Sequence, residues 1–92
     1  MSEYRVIINE DLSIYSGEKI ACSNKMNALN IASSVARAFY CIGIKSAHVF
    51  VVENEDTVKY HYEIVFDKNS KQMLLYNGIC NNRKTIARQV IR

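Results

Sequence analysis

From Lys25 to Gly43 the polar residues Asn27, Asn30, Ser34 and Arg37 recur at steps of three, four and three, separated by mostly apolar positions. That spacing marks one face of an α-helix. A polar stripe so narrow predicts a helix pressed into the fold over most of its circumference, through Ala28, Leu29, Ile31, Ala32, Val35, Ala36, Ala38, Phe39 and Ile42. Ser23 or Asn24 can cap its start, and Gly43 stands where a left-handed residue would close it.

Elsewhere the apolar period is two, the signature of strands. Tyr4–Ile8 predicts a first strand with Tyr4, Val6 and Ile8 on one face and Arg5 and Ile7 on the other. Leu12–Tyr15 reads as a short returning strand, and Lys19–Cys22 as another short one before the helix. The clearest β signal follows Gly43, where Ala47–Glu53 and Val58–Phe66 flank the polar loop 54–57. A tight turn at Glu55-Asp56 predicts Glu53 opposite Val58, Val51 opposite Tyr60 and Val49 opposite Tyr62. One face then carries Ala47, Val49, Val51, Val58, Tyr60, Tyr62 and Ile64, which suits the helix. The other carries His48, Phe50, Val52, Lys59, His61, Glu63 and Val65.

Gln72–Tyr76 predicts a further strand closed by Asn77-Gly78. Beyond it Asn82 can cap a short helix, Arg83–Arg92, with Ile86, Ala87, Val90 and Ile91 on one side and Lys84, Arg88 and Arg92 on the other. The expected fold is therefore α+β: an antiparallel sheet of four to five strands packed on one long central helix, with a short C-terminal helix, in the order β(β)-α-β-β-β-α.

With 92 residues the chain makes a single domain, 1–92. Its apolar content of 49% and charged content of 23% are those of a globular protein. No apolar run reaches the roughly 18 residues of a membrane span, and MSEYRV lacks a signal peptide's apolar region. Three widely spaced cysteines, Cys22, Cys41 and Cys80, form neither a disulfide framework nor a C-x-x-C site, so a reduced, cytoplasmic protein is expected. Ile, Asn, Lys and Tyr, all encoded by A/T-rich codons, supply 33 residues, which suits a low-GC bacterium or its phage.

The net charge of +3 hides an asymmetry. All nine acidic residues lie within 1–67, whereas 68–92 hold Lys68, Lys71, Arg83, Lys84, Arg88 and Arg92 with no acid. Charge segregated in this way points to an anionic partner.

Specific chemistry is sparse. Two histidines and no nucleophile elbow give no catalytic triad, and the isolated Gly17, Gly43 and Gly78 build no phosphate loop. The hairpin register sets His48 opposite Glu63 with His61 diagonal to it, a grouping that could hold Zn²⁺ or Fe²⁺. Solvated sheet residues explain the same pattern, and no metal or cofactor is assigned. Among the cysteines only Cys80, near Arg83 and Lys84, has neighbours that would favour a thiolate, and packing accounts for all three.

These readings converge on a small non-enzymatic protein-interaction module that occupies the surface of a larger protein partner. A phage- or mobile-element-encoded inhibitor of a host or defence protein, anti-CRISPR-like, is the natural setting. The expected partner-binding residues are Arg83, Lys84, Arg88 and Arg92 of the basic C-terminus with Phe50, Lys59 and His61 of the outer hairpin face. The alternative is a nucleic-acid-binding protein using the basic C-terminal helix. Homodimerisation through the hairpin face or an edge strand is a further option.

Overall fold

The computed structural model describes residues 3–10, 18–54, 57–79 and 82–90. Six strands and one helix follow in the order β1 (Tyr4–Glu10), β2 (Glu18–Cys22), α1 (Lys25–Ile42), β3 (Ala47–Glu53), β4 (Thr57–Asp67), β5 (Gln72–Ile79) and β6 (Asn82–Val90). The strands form one antiparallel sheet in the spatial order β2-β1-β3-β4-β5-β6. β2 and β3 flank β1, so α1 carries the chain across one face of the sheet between them. The expected strand at Leu12–Tyr15 lies outside the described residues.

α1 begins where Asn24, in extended conformation, accepts the Asn27 amide at 2.8 Å, and Asn27 in turn donates to the Ser23 hydroxyl at 3.1 Å. It ends at Gly43, whose φ of 88° is left-handed. There the Ile44 amide donates to the Phe39 carbonyl and the Gly43 amide to the Tyr40 carbonyl, the Schellman pattern, while Ile44 and Phe39 both enter the core. Burial on the helix is narrower than its sequence suggests. Ala28, Ala32, Ala36, Phe39 and Tyr40 are buried, whereas Ala38, Cys41 and Ile42 are exposed. One sheet can cover only one side of a cylinder, so these three face outward, while Leu29, Ile31 and Val35 pack partly buried at the margin of the core.

Beneath the alanine stripe lie Val6, Ile8, Val49, Val51, Tyr62, Ile64, Met73 and Leu75, all buried. The predicted pairs Val49–Tyr62, Val51–Tyr60 and His48–Glu63 occur, but Glu53 pairs with Thr57. A bulge beside Val51/Val52 leaves Lys59 unpaired and moves Val58 to a position opposite Val52, on the face away from the helix, where it is exposed.

The expected C-terminal helix is instead a sixth strand, which also overturns the count of four to five. Asn77-Gly78 does not end β5, which continues to Ile79 and pairs with β6 from Gln72–Val90 to Ile79–Asn82. A ten-residue helix gains little alone, whereas a strand here completes the hydrogen-bonding edge of β5 and shelters its fully buried Met73 and Leu75. The helical spacing of Ile86 and Ala87 has another origin. A bulge places both against Leu75/Tyr76, and both pack on the core. Gln89 fastens β6 to the helix, its side-chain amide donating to the Tyr40 carbonyl at 3.0 Å.

At the β4–β5 turn, Asp67 accepts the Ser70 hydroxyl at 2.9 Å and the Asn69 amide at 3.0 Å. The Ser70 hydroxyl first, and then the Asn69 amide, hold its carboxyl below the usual range. Folding therefore favours the ionised form. That contribution is complete above the ordinary aspartate pKa and disappears as pH falls through the lowered value. Asp67→Asn should lower stability at neutral pH and flatten the acid limb of a stability-against-pH curve from urea titrations. Gly43→Ala should cost about 1 kcal/mol in the same assay, because a β-carbon strains the left-handed closure although its site is sterically open.

Candidate functional site: the helix-free sheet face

A single helix covers a single face. Sheet alternation assigns to the opposite face Arg5, Ile7 and Asn9 of β1, Lys19 and Ala21 of β2, and His48, Phe50 and Val52 of β3. From the other strands come Val58, His61, Glu63, Val65 and Asp67, then Gln72, Leu74, Tyr76 and Gly78, and finally Arg83, Thr85, Arg88 and Val90. The register aligns Lys19, Ile7, Phe50, His61, Gly78 and Arg83 in one row across all six strands. Asn9, His48, Glu63, Tyr76 and Thr85 form the next row.

Three rings meet at the centre. The Phe50 and His61 rings lie 4.4 Å apart between centroids and within 13° of parallel, a stacked pair. The His48 ring is within 3° of parallel to Phe50 at 5.8 Å. His48 Nδ1 and His61 Nε2 approach to 2.9 Å, one ring donating and the other accepting. Their centroids stand 5.1 Å apart at 15°, close to the nitrogen separation plus two ring radii, so these rings meet edge to edge. Glu63 lies 3.8 Å from the far nitrogen of His48.

This geometry is a hydrogen bond and not a chelate: each nitrogen points at the other, whereas two ligands of one ion converge on a point between them. Glu63 stands on the opposite side of His48. Among the described residues no group of three or more His, Cys, Asp or Glu is disposed to hold a metal. Burial pushes the Cys22 thiol up, an amide hydrogen bond from Val6 only partly opposing it, and the thiol donates to the Ile20 carbonyl, which suits packing. Cys80 lies outside the described residues.

The residues expected to bind a partner divide as follows. Phe50 and His61 are opposite one another on this face. Lys59, the bulged residue, reaches Glu53 at 3.3 Å, and Glu53 also accepts the hydroxyl of the core-side Tyr4 at 2.7 Å. Lys84 and Arg88, one turn apart in the expected helix, fall on opposite faces because the β6 bulge inverts the alternation between them: Lys84 pairs with the helix-side Asn77, Arg88 with Leu74. Arg83 takes a register position on the helix-free face, and Arg92 lies outside the described residues.

Sequence reasoning passed over Arg5, Ile7, Lys19, Leu74 and Tyr76 as members of the same surface. Their alternation was legible, but the strand order that assembles them was not. Arg5, Ile7, Lys19 and Val52 line a cleft of about 340 Å³ beside Phe50. Charges of both signs occur on each side: Arg5, Lys19 and Arg88 share the helix-free side with Glu63 and Asp67, whereas Glu53 and Lys84 take helix-side positions.

No helix among the described residues is long and apolar enough to cross a membrane. Compared with protein-family models, curated proteins and solved structures, the chain matches none. Because the histidine nitrogens are engaged with each other, treating the tag-free protein with a chelator should leave its unfolding midpoint unchanged. A drop reversed by Zn²⁺ would contradict that geometry.

Proposed function

We propose that this chain is a small non-enzymatic protein-interaction module that acts by laying its helix-free sheet face on a larger partner. The observation that carries this reading is the one-sided sheet. Strands β1, β3, β4 and β5 present Ile7, Phe50, Val65, Leu74 and Tyr76, all partly buried, on a face over which no helix lies among the described residues. Arg5, Lys19, Asp67 and Arg88 surround them. An apolar, aromatic centre within a charged rim is the composition of an interface.

Inhibition follows from such binding without further chemistry. A rigid sheet seated on a functional surface excludes whatever else that surface binds, and a phage- or mobile-element-encoded inhibitor of a host or defence protein is the setting that suits it. Neither a bound metal nor a cofactor is required.

Phe50→Asp tests this directly. The side chain is only partly buried and lies off the helix-side core, so the variant should keep its circular dichroism spectrum and most of its stability. A charge at the centre of the interface should nevertheless abolish co-purification of the partner that wild-type protein retains from its source cells. An undiminished complex would place the interface elsewhere.

A further inference from the structure

We infer that the partner chemistry recognised by this face is single-stranded nucleic acid, held by ring stacking at the centre and by cations on both flanks. This rests on the reading above that the helix-free face docks a larger partner, and names nucleic acid carried by that partner as what the face contacts.

Three observations converge. First, the rings are parallel: Phe50 stacks on His61, and His48 shares the plane orientation of Phe50. A nucleobase is a further flat ring that can join such a set, and stacking tolerates any base. Second, cations flank the ring row. Lys19 ends it on β2 and Arg5 lies in the adjacent row, while Arg88 stands on β6 two rows away, on the side of the ring row opposite Arg5. Third, the cleft lined by Arg5, Ile7, Lys19 and Val52 pairs two cationic side chains with an apolar floor next to Phe50. A phosphate and its sugar have that combination of charge and bulk.

A strand lying across the β-strands would set about two or three bases over the rings, the number that antiparallel sheet platforms stack. A duplex hides its base faces and offers only phosphates, so it gains from the cations and not from the rings.

The C-terminal strand is what assembles this surface. Were residues 83–92 a separate helix, their cations would share no sheet with Phe50. As β6, Arg88 stands opposite Leu74, and Arg83 opposite Gly78, in the open sheet.

The test is fluorescence anisotropy with labelled oligothymidylate and oligouridylate, against a duplex of equal length, at low and physiological salt. Wild-type protein should bind single strands more tightly than duplex, with affinity falling steeply as salt rises. Phe50→Ala should weaken single-strand binding by ~10-fold or more, and Phe50→Tyr should restore it, since the ring supplies the stacking. Arg88→Glu should weaken binding and reduce the salt slope, whereas Lys84→Glu, on the other face, should do neither to the same extent. Circular dichroism of each variant separates these effects from misfolding.

Absence of single-strand binding at micromolar protein and low salt would overturn the inference. So would binding that favours duplex and ignores Phe50→Ala. If Phe50→Asp abolishes partner capture, or dissociates a dimer seen in sedimentation, while oligonucleotides do not bind, the face docks protein and only this inference falls. If oligonucleotides bind but Phe50 is irrelevant to them and to capture, the face reading itself fails.

Discussion

One contact governs the architecture: the stripe Ala28, Ala32 and Ala36 lying on Val6, Val49 and Val51. All six residues are at most 1% exposed. Small side chains on the helix let its backbone approach the sheet closely, and β-branched valines give the sheet a flat, stiff surface to receive it. Among the described residues a helix 18 residues long is the one regular element that packs on this sheet, so six strands share it. Those nearest its axis become the core. The flanking strands are held chiefly by their neighbours.

The periphery is secured by other means. β6 lies at one edge and reaches the helix through Gln89, which donates to a carbonyl of the last helical turn that also accepts the Gly43 amide. Its bulge then lets Ile86 and Ala87 both pack inward, so a strand of mixed polarity still contributes to the core. The same bulge separates Lys84 from Arg88 and sends Arg88 to the open face. A local irregularity therefore decides both packing and the distribution of charge.

The consequence for function is that the molecule's two candidate regions become one. The hairpin's outer face and the basic C-terminus are far apart in sequence and join because β4, β5 and β6 are consecutive in the sheet. Rings and cations then occupy a shared surface on the side remote from the helix. The edge-to-edge contact of His48 and His61 belongs to that surface as well, holding two rings in a common orientation against Phe50.

Local signals alone determined α1, its Asn24 and Gly43 boundaries, the β3–β4 hairpin and the pairing of His48 with Glu63, because periodicity, capping chemistry and turn polarity act within a few residues. Residues 82–90 carry a weak local preference, with Ile86, Ala87 and Val90 at a spacing that fits a helical face. Only the unfilled edge of β5 makes them a strand. Val58 changed faces and Lys59 lost its register position for a similar reason, since a bulge is a property of two paired strands and neither strand announces it. Strand order, and with it the helix-free face that unites Arg5, Phe50, His61 and Arg88, was settled by which edges pair and by how much sheet one helix can cover. Those are long-range competitions between backbone hydrogen bonding and burial, and no short stretch of sequence records their outcome.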